Sequence, residues 1–429
     1  AVPLATTGEH EGRKEMALPI PRRPERIADM AKMWSNLKRT PVSERRVAIL
    51  LYQYTGDLDT LGDAGGLDTP QSIIEILRHL KDAGYHVDHI PKTGNDLIAE
   101  MINGLTNDTR WITEAQMKER SAGFVSADLY KEWFARIPEK NREKMSADWG
   151  EPPGELLETE GQLCIPGIVN GNVFIGIQPP RGYFEQIETM IHSTDIVMPH
   201  HYLAYYRWLK HVFGAHAVIH LGTHGTLEWL PGKGNGLSEE CYPDVIFEDM
   251  PHLYPYILND PGEGVQAKRR SWGVLLDHLI PAMMRAEGYG ELSELDGILQ
   301  EYLRAKQGGE VSKADSLIEE AHAIAVEKNL TKDLGLADGA SKEDIAENAE
   351  RLYDYICEVR DTIIKDGLHI FGLPPVDERF QEMIYALTRL PNGNVPSLRE
   401  SVARALSLSL AGLLDNPSGF DQEYGLANG

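Results

Sequence analysis

Three short, nearly continuous runs of apolar residues constrain the fold more than any other feature of the sequence. They lie at residues 46–54, 172–178 and 217–221. A strand with one face in water alternates apolar and polar residues, whereas a strand of a parallel sheet is covered on both faces and is apolar throughout. Helical periodicity separates the runs, as it does in strand–helix–strand crossovers. The sequence therefore predicts a multidomain α/β fold with parallel sheets.

The first strand–helix–strand unit is predicted between residues 46 and 90. The strand 46–54 leads to Asp68-Thr69-Pro70, where Asp68 or Thr69 caps a helix and Pro70 occupies its first turn. Residues 85–90 are predicted as the next strand. Apolar spacing also predicts helices at 24–38, 203–212, 375–390 and 397–413, helices and loops over 92–160, and helical structure from about 265 to 365.

These elements suggest four regions. They are an N-terminal arm and helix (1–45), a first α/β region (46–165), a second α/β region that carries the candidate site (166–290), and a mainly helical region (291–429). The chain begins with Ala1 rather than Met and ends at Gly429 without a closing element, so we expect a piece of a longer polypeptide.

Composition excludes several classes of function. The net charge of −24 over 429 residues argues against nonspecific binding to nucleic acid or to an anionic membrane. Cys164, Cys241 and Cys357 are too widely spaced for a disulfide framework or a CxxC metal pair, which is typical of a reducing compartment. No apolar run is long enough to span a membrane. We expect a cytoplasmic protein that neither enters a membrane nor binds nucleic acid.

Histidine is concentrated in one part of the sequence. Seven of the fifteen histidines fall between His192 and His224, which points to a site there. His220, His224 and Glu228 follow an apolar strand and so lie at the carboxyl edge of a sheet, where open α/β folds bind ligands. Two imidazoles and a carboxylate suit a divalent metal or proton transfer. The alternative is that these side chains only hydrogen-bond the backbone of a turn.

Other residues nearby are weaker candidates. His200 and His201 begin a predicted helix, and one of them is expected to be packed or capping rather than functional. Arg181 ends the strand 172–178 and can meet an anionic ligand or form a surface ion pair. The basic run Lys268-Arg269-Arg270 can bind substrate carboxylates or form a solvated helix face.

A nucleotide site is not predicted. Gly232-Lys233 resembles the end of a P-loop, but Leu227 and Gly234 stand where that pattern requires Gly and Ser or Thr. If the reaction needs ATP hydrolysis, another chain must supply it.

Five motifs in this region resemble one known family. They are GIQPPRGY (176–183), PHHYLAYYRWL (199–209), HLGTHGTLEWLPGK (220–233), GLSEECYPD (236–244) and KRRSWG (268–273). Weaker matches are RVAILLYQY (46–54), DWGEPPG (148–154) and RLPNGNVPSLRE (389–400). The chain thus resembles, from about 24 to 413, the large subunits of ATP-dependent tetrapyrrole metal chelatases, the family of the cobaltochelatase and magnesium chelatase large subunits.

The resemblance implies a function and partners. A large subunit of this family binds a tetrapyrrole and carries the site at which a divalent metal is inserted, while an AAA+ ATPase subunit and a second chelatase subunit drive the cycle. It implies that Glu228 is a base or metal ligand, with His220 and His224 as its partners. The residues it implies for macrocycle binding are Arg181, His200, His201, Trp229, Lys233, Arg269 and Arg270.

The identity of the metal is left open between two types. The string EWLPGK after HLG favours the cobalt type, whereas Thr223 is shared with the magnesium type. The first hypothesis is therefore Co²⁺ insertion into hydrogenobyrinic acid a,c-diamide in cobalamin biosynthesis, and the second is Mg²⁺ insertion into protoporphyrin IX. A non-catalytic porphyrinoid carrier and a stand-alone His/Glu metallohydrolase are hypotheses of other classes.

Overall fold

The structure, a computed structural model, describes most of the chain. The described residues are 5–10, 13–19, 22–53, 61–62, 64–110, 112–182, 196–222, 225–285, 291–327, 341–349, 351–353, 363–366 and 368–415. The chain divides into two compact units, a first unit of Ala1–Ile280 with Leu368–Pro374 and a second unit of Pro281–Gly367 with Pro375–Gly429. The four-region division predicted from the sequence stays a prediction.

The described residues form both strands and helices. The strands are β1 (Ala5–His10), β2 (Arg13–Pro19), β3 (Val47–Leu51), β4 (Gly123–Ser126), β5 (Glu158–Thr159), β6 (Gln162–Ile165), β7 (Ile168–Asn170), β8 (Val173–Ile177), β9 (Ala217–Leu221), β10 (His252–Ile257), β11 (Val274–His278), β12 (Ala282–Arg285) and β13 (Ile363–Asp366). The helices of the first unit are α1 (Arg23–Arg39), α2 (Thr69–Asp82), α3 (Gly94–Asn103), α4 (Glu114–Arg120), α5 (Ala127–Phe134), α6 (Glu139–Trp149), α7 (His200–Trp208), α8 (Tyr242–Phe247) and α9 (Pro261–Arg270). Those of the second unit are α10 (Glu291–Gly308), α11 (Val311–Glu327), α12 (Lys342–Glu347), α13 (Asp377–Thr388), α14 (Leu398–Ala405) and α15 (Leu410–Asp415).

A six-stranded sheet organises the first unit. Its spatial order is β11-β10-β9-β3-β8-β7, and every pairing is parallel except that of β7 with β8. Every residue of β3, β8 and β9 is buried. Ala48 and Leu50 of β3 pack into the apolar layer that contains α7, whereas the alternate residues of β3 pack into the layer that contains α2. Both faces are covered, which is why these strands are apolar throughout and why the predicted α/β class is confirmed.

Several local predictions are confirmed. Asp68 caps α2, since its carboxylate accepts a hydrogen bond from the Gln71 amide at 2.9 Å, and Pro70 lies in the first turn. The predicted helix 24–38 is α1, and the helix 375–390 is α13. The helix predicted over 203–212 begins at His200, as expected of His200 and His201, and it continues as a π-helix over Leu209–Phe213.

The predicted strand at 85–90 is wrong. This segment is irregular, and the amides of Asp88 and His89 donate to Oδ1 of Asn170 at 3.0 and 3.1 Å instead of to a strand. Both neighbours of β3 are already present, because β8 and β9 flank it. The parallel strand that was expected beside β3 is therefore β8. It lies about ninety residues later in the chain than the predicted strand.

The predicted helical stretch 265–365 is also wrong in part. It contains β11, which extends the main sheet beside β10, and the antiparallel pair β12–β13 in the second unit. β11 is an edge strand that ends in two polar residues, Asp277 and His278, so it lacks the fully apolar sequence that identified the central strands. Helices α10, α11 and α12 confirm the helical part of this prediction, and their apolar residues form one core in the second unit.

Two smaller corrections concern other helical predictions. Residues 92–160 contain α3 to α6 but also two strands of the antiparallel sheet β4-β6-β5. The helix predicted at 397–413 is divided into α14 and α15, because Ser407 between them has a φ of 59°, outside the helical region. In the described part of the chain, none of the helices has the length and apolarity needed to cross a membrane.

Candidate active site

Polar side chains from three neighbouring segments meet at the carboxyl edge of the main sheet. Gln178 follows β8 directly, His220 is the fourth residue of β9, and Tyr254 is the third residue of β10. The parallel register pairs Ile219 with Leu253, which places His220 beside Tyr254. All three side chains are buried. The register of the sheet, rather than proximity along the chain, therefore builds this group.

Gln178 is the hub of the group. Its Oε1 accepts a hydrogen bond from the Thr226 amide at 2.7 Å, so its Nε2 must be the donor. Nε2 donates to the hydroxyls of Tyr206 and Tyr202 at 2.8 and 3.2 Å. The Tyr202 hydroxyl in turn bonds Oγ1 of Thr226 at 2.8 Å. Two bonds from opposite directions thus hold Thr226, two residues before Glu228.

His220 belongs to a chain of hydrogen bonds that uses both of its ring nitrogens. His252 Nδ1 lies 2.9 Å from the Ser271 carbonyl and must donate to it, so His252 Nε2 accepts from His220 Nδ1 at 2.7 Å. His220 Nε2 is then the acceptor for the Tyr206 hydroxyl at 2.9 Å. Burial lowers the pKa of His252 to about 4 and that of His220 well below its usual value, so both rings are neutral.

Glu228 lies in a short 3₁₀ turn, Leu227–Trp229, and is 1% exposed. The Tyr254 hydroxyl donates to its Oε1 at 2.6 Å and accepts from the Gly225 amide at 2.5 Å. Burial, and then the charge of Glu228, raise the pKa of Tyr254 well above its usual value, so this hydroxyl keeps its proton. A buried carboxylate is thereby held at a defined position by a permanent donor.

Two buried arginines lie near each other, and one of them, Arg270, lies near this carboxylate. Arg270 is 7% exposed and donates from Nη2 to the Leu230 carbonyl at 2.6 Å, while Arg181 is 2% exposed and donates to the Ile196 carbonyl at 3.1 Å. Burial lowers the pKa of each, the charge of Glu228 raises that of Arg270, and Arg270 lowers that of Arg181. Arginine remains charged despite such shifts. The site therefore combines one carboxylate with two guanidinium groups.

His200 and His201 bond elsewhere. His200 Nδ1 lies 2.7 Å from the Tyr130 hydroxyl and its Nε2 lies 2.9 Å from the Gly150 carbonyl. His201 Nε2 donates to the Cys164 carbonyl at 2.9 Å, and burial lowers the pKa of His201 to about 4. These bonds link α7 to neighbouring segments of the core. They fit the packing alternative for both histidines, and a macrocycle contact by either stays a prediction.

The remaining predicted macrocycle contacts differ in exposure. Trp229 is half-buried, whereas Lys233 and Arg269 are exposed; of the basic run, Arg270 alone is buried. Sequence reasoning missed Gln178, Tyr254 and His252. Gln178 lies inside the motif GIQPPRGY and could have been found there, whereas Tyr254 and His252 lie in no motif that was singled out.

The predicted metal set of His220, His224 and Glu228 stays a prediction. His224 lies outside the described residues. Within the described ranges, no three His, Cys, Asp or Glu side chains come together as a metal-binding group. Because both nitrogens of His220 are engaged, binding a metal through this residue would require one of its two hydrogen bonds to break.

The crevice at this edge is small. Leu50, Tyr52, Gln178, His220 and Tyr254 are among its lining residues, and the volume that a water molecule could occupy there is about 0 Å³. Ligand sites typically measure roughly 300–1,000 Å³. These side chains fill the crevice, so binding a metal ion or a macrocycle here would require them to move.

An α/β sheet with a buried, hydrogen-bonded carboxylate and two buried arginines defines a candidate catalytic domain. The family model described as CobN/Magnesium Chelatase matches residues 1–425. The chain belongs to this family, and the resemblance seen in the motifs is confirmed.

Individual relatives agree with the family assignment. The chain is 38% identical over 381 residues to the aerobic cobaltochelatase subunit CobN of Pseudomonas aeruginosa, covering 89% of this chain and 30% of that protein. It is 32% identical over 364 residues to the chloroplastic magnesium-chelatase subunit ChlH of Oryza sativa subsp. japonica, covering 82% of this chain and 25% of that protein. The chain thus spans about a third or less of the length of these curated relatives.

A solved structure shows the same fold. The catalytic subunit of cobaltochelatase from Mycobacterium tuberculosis superposes with a TM-score of 0.78 at 33% identity, covering 99% of this chain and 38% of that one.

Proposed function

We propose that this chain carries the metal-insertion site of a cobaltochelatase large subunit. The proposed reaction is ATP-dependent insertion of Co²⁺ into hydrogenobyrinic acid a,c-diamide, a step of cobalamin biosynthesis in the cytoplasm. The single observation that carries the proposal is the buried Glu228 carboxylate, held by Tyr254 and flanked by Arg270. Insertion requires a base for the N–H protons of the macrocycle and a ligand that replaces water on the cation, and a carboxylate can serve as either.

The other residues are assigned supporting roles. Tyr254 positions Glu228 and keeps its own proton, and Gln178 holds the turn that leads to Glu228. We assign Arg181 and Arg270 to binding the carboxylate groups of the macrocycle. These groups are anionic, like Glu228. His220 and His224 remain proposed as partners of Glu228; through its two hydrogen bonds, His220 is better suited to positioning than to direct ligation.

ATP is assigned to other chains. Since the sequence has no P-loop, we propose that an AAA+ ATPase subunit and a second chelatase subunit drive the cycle. The names of the relatives describe them as subunits, which supports an assembly of this kind.

Magnesium insertion into protoporphyrin IX is the second candidate. It is supported by Thr223 and by the relatives named as magnesium-chelatase subunits. The greater identity to CobN proteins and the string EWLPGK favour cobalt.

The proposal is tested by Glu228→Gln, which keeps the size of the side chain but removes its charge and basicity. We expect metal insertion by the assembled complex to fall at least a thousandfold, while fluorescence quenching by the macrocycle is retained. Glu263→Gln is the matched control, because Glu263 also accepts a hydrogen bond from a tyrosine of β10, Tyr256, at 2.9 Å. Insertion at the wild-type rate by the Glu228→Gln protein would overturn the proposal.

A second measurement separates the two macrocycles. Quenching titrations with hydrogenobyrinic acid a,c-diamide and with protoporphyrin IX should favour the corrinoid. A preference for the porphyrin would assign the chain to magnesium. Macrocycle binding without insertion, even with the partner subunits present, would support a carrier.

A further inference from the structure

Two histidines outside the Glu228 group lie together at the same edge of the sheet. His278 is the last residue of β11, and His369 lies in the segment Leu368–Pro374, which belongs to the same unit. The ring centroids are 5.7 Å apart and the ring planes differ by 11°. The backbone holds His369 in place: its amide donates to the Gly66 carbonyl and its carbonyl accepts from the Asp68 amide, each at 2.8 Å.

Both rings are suited to act as ligands. His278 Nδ1 lies 3.0 Å from the Leu279 carbonyl, so Nδ1 carries the proton and the lone pair is on Nε2. Burial lowers the pKa of both rings, and His278 lowers that of His369 further, so both are neutral near pH 7. His278 is 4% exposed, whereas His369 is half-buried and gives access from solvent. A neutral imidazole with a nitrogen lone pair is the form that binds metals.

The pair lies on the opposite face of the main sheet from the Glu228 group. Tyr254 pairs with Leu275, so His278 lies three residues further along the neighbouring strand. At ~3.4 Å per residue and ~4.8 Å between strands, the backbone of His278 is ~11 Å from that of Tyr254. Because side chains alternate between the two faces of a strand, His278 projects from the face opposite to Leu275 and Tyr254, the face on which α2 packs.

We propose that His278 and His369 form a docking site for a late first-row divalent cation, across the main sheet from the carboxylate. Imidazole ligands suit Co²⁺, Ni²⁺ and Zn²⁺, whereas Mg²⁺ takes oxygen ligands and keeps its waters. Two protein ligands leave the other coordination positions to water, as a site that must release its metal requires. The inference deepens the proposed function and rests on it for the role of the bound cation. The binding of the cation does not depend on the proposed function.

The test is a Co²⁺ titration of the purified chain, without macrocycle or partner subunits, followed by the visible d–d absorption of the metal. We compare the wild type with His278→Asn and His369→Gln. The asparagine retains an N–H donor for the Leu279 carbonyl but has no Nε2. The matched control is His86→Ala, because His86 is an exposed histidine 3.1 Å from the Asp88 carboxylate and would contribute to nonspecific surface binding. Thermal unfolding midpoints verify that each variant is folded.

We expect His278→Asn and His369→Gln each to weaken Co²⁺ binding at least tenfold, and His86→Ala to leave it unchanged. Mg²⁺ in thousandfold excess should not displace Co²⁺. Equal Co²⁺ affinity in the wild type and both pair variants would overturn the site, as would displacement by Mg²⁺. The titration is independent of insertion, so a chain that binds Co²⁺ through the pair but inserts no metal would refute the proposed function and not the docking site.

Discussion

Two histidine-containing segments, His200–His201 and His220–Glu228, are both candidate sites in the sequence, but their surroundings in the structure are very different. The ring nitrogens of His200 and His201 bond the Tyr130 hydroxyl and the carbonyls of Gly150 and Cys164. In the second segment, the hydrogen bonds connect β9, β10 and α7, and they end close to a buried carboxylate. Burial alone therefore does not distinguish a supporting histidine from a site; the identity of the bonded partners does.

Acidification should produce the largest effect, and it acts on both segments. Burial lowers the pKa of His201 and of His252 to about 4, against roughly 6.5 in an unfolded chain. Between pH 6.5 and pH 4 the unfolded chain takes up a proton on each of these histidines, whereas the folded chain does not. The free energy of unfolding is therefore highest above pH 6.5 and decreases as the pH falls towards 4. The loss is about 1.4 kcal/mol per pH unit for each histidine, or ~3 kcal/mol each by pH 4.

Urea unfolding between pH 7 and pH 4 measures this dependence. The His201→Gln protein should show a shallower dependence, since one of the protons taken up on unfolding is removed. An unchanged slope would mean that His201 is not buried in its neutral form.

His200→Ala should lower stability by about 2–4 kcal/mol without changing chemistry. The substitution removes two hydrogen bonds, leaves the Gly150 carbonyl without this donor and creates a cavity beside Phe134, whose ring centroid is 5.0 Å from that of His200. The urea midpoint measures the loss, with the exposed His86→Ala as control. A protein of unchanged stability that has lost insertion would instead place His200 in the active site.

Tyr254→Phe should lower the insertion rate about 10–100-fold, the usual effect of removing a residue that orients a catalytic group. Tyr256→Phe is the control, because Tyr256 stacks on Tyr254 at 5.5 Å but donates to Glu263. Equal insertion rates for the two variants would contradict the positioning role.

The smallest effect is expected at the exposed cations. Lys233→Ala and Arg269→Ala should each weaken macrocycle binding only a few-fold, and salt should reduce the difference, because water and ions screen exposed charges. Quenching titrations at low and high ionic strength measure this. A loss of tenfold or more that persists in high salt would show that the side chain is buried against the macrocycle when bound.

The family and the central strands were predictable from the sequence. β3, β8 and β9 are covered on both faces, and this condition requires a continuous apolar run that can be recognised without a structure. Asp68 was predictable as a helix cap because capping depends on residues three positions apart. The motif around Glu228 was predictable as a candidate site because it follows one of these strands, whereas the burial of the carboxylate was not predicted.

The partners of that carboxylate were decided only by the tertiary structure. Glu228 and Tyr254 are 26 residues apart, Thr226 and Gln178 are 48 apart, and residues of the second unit separate His278 from His369 along the chain. The edge strand β11 escaped prediction because its apolar run ends at Asp277 after three residues, and residues 85–90 were misassigned because Asn170 accepts the amide hydrogen bonds of Asp88 and His89. Strand apolarity and helix caps depend on neighbours in sequence, whereas the register of a parallel sheet joins residues whose separation along the chain carries no local signal.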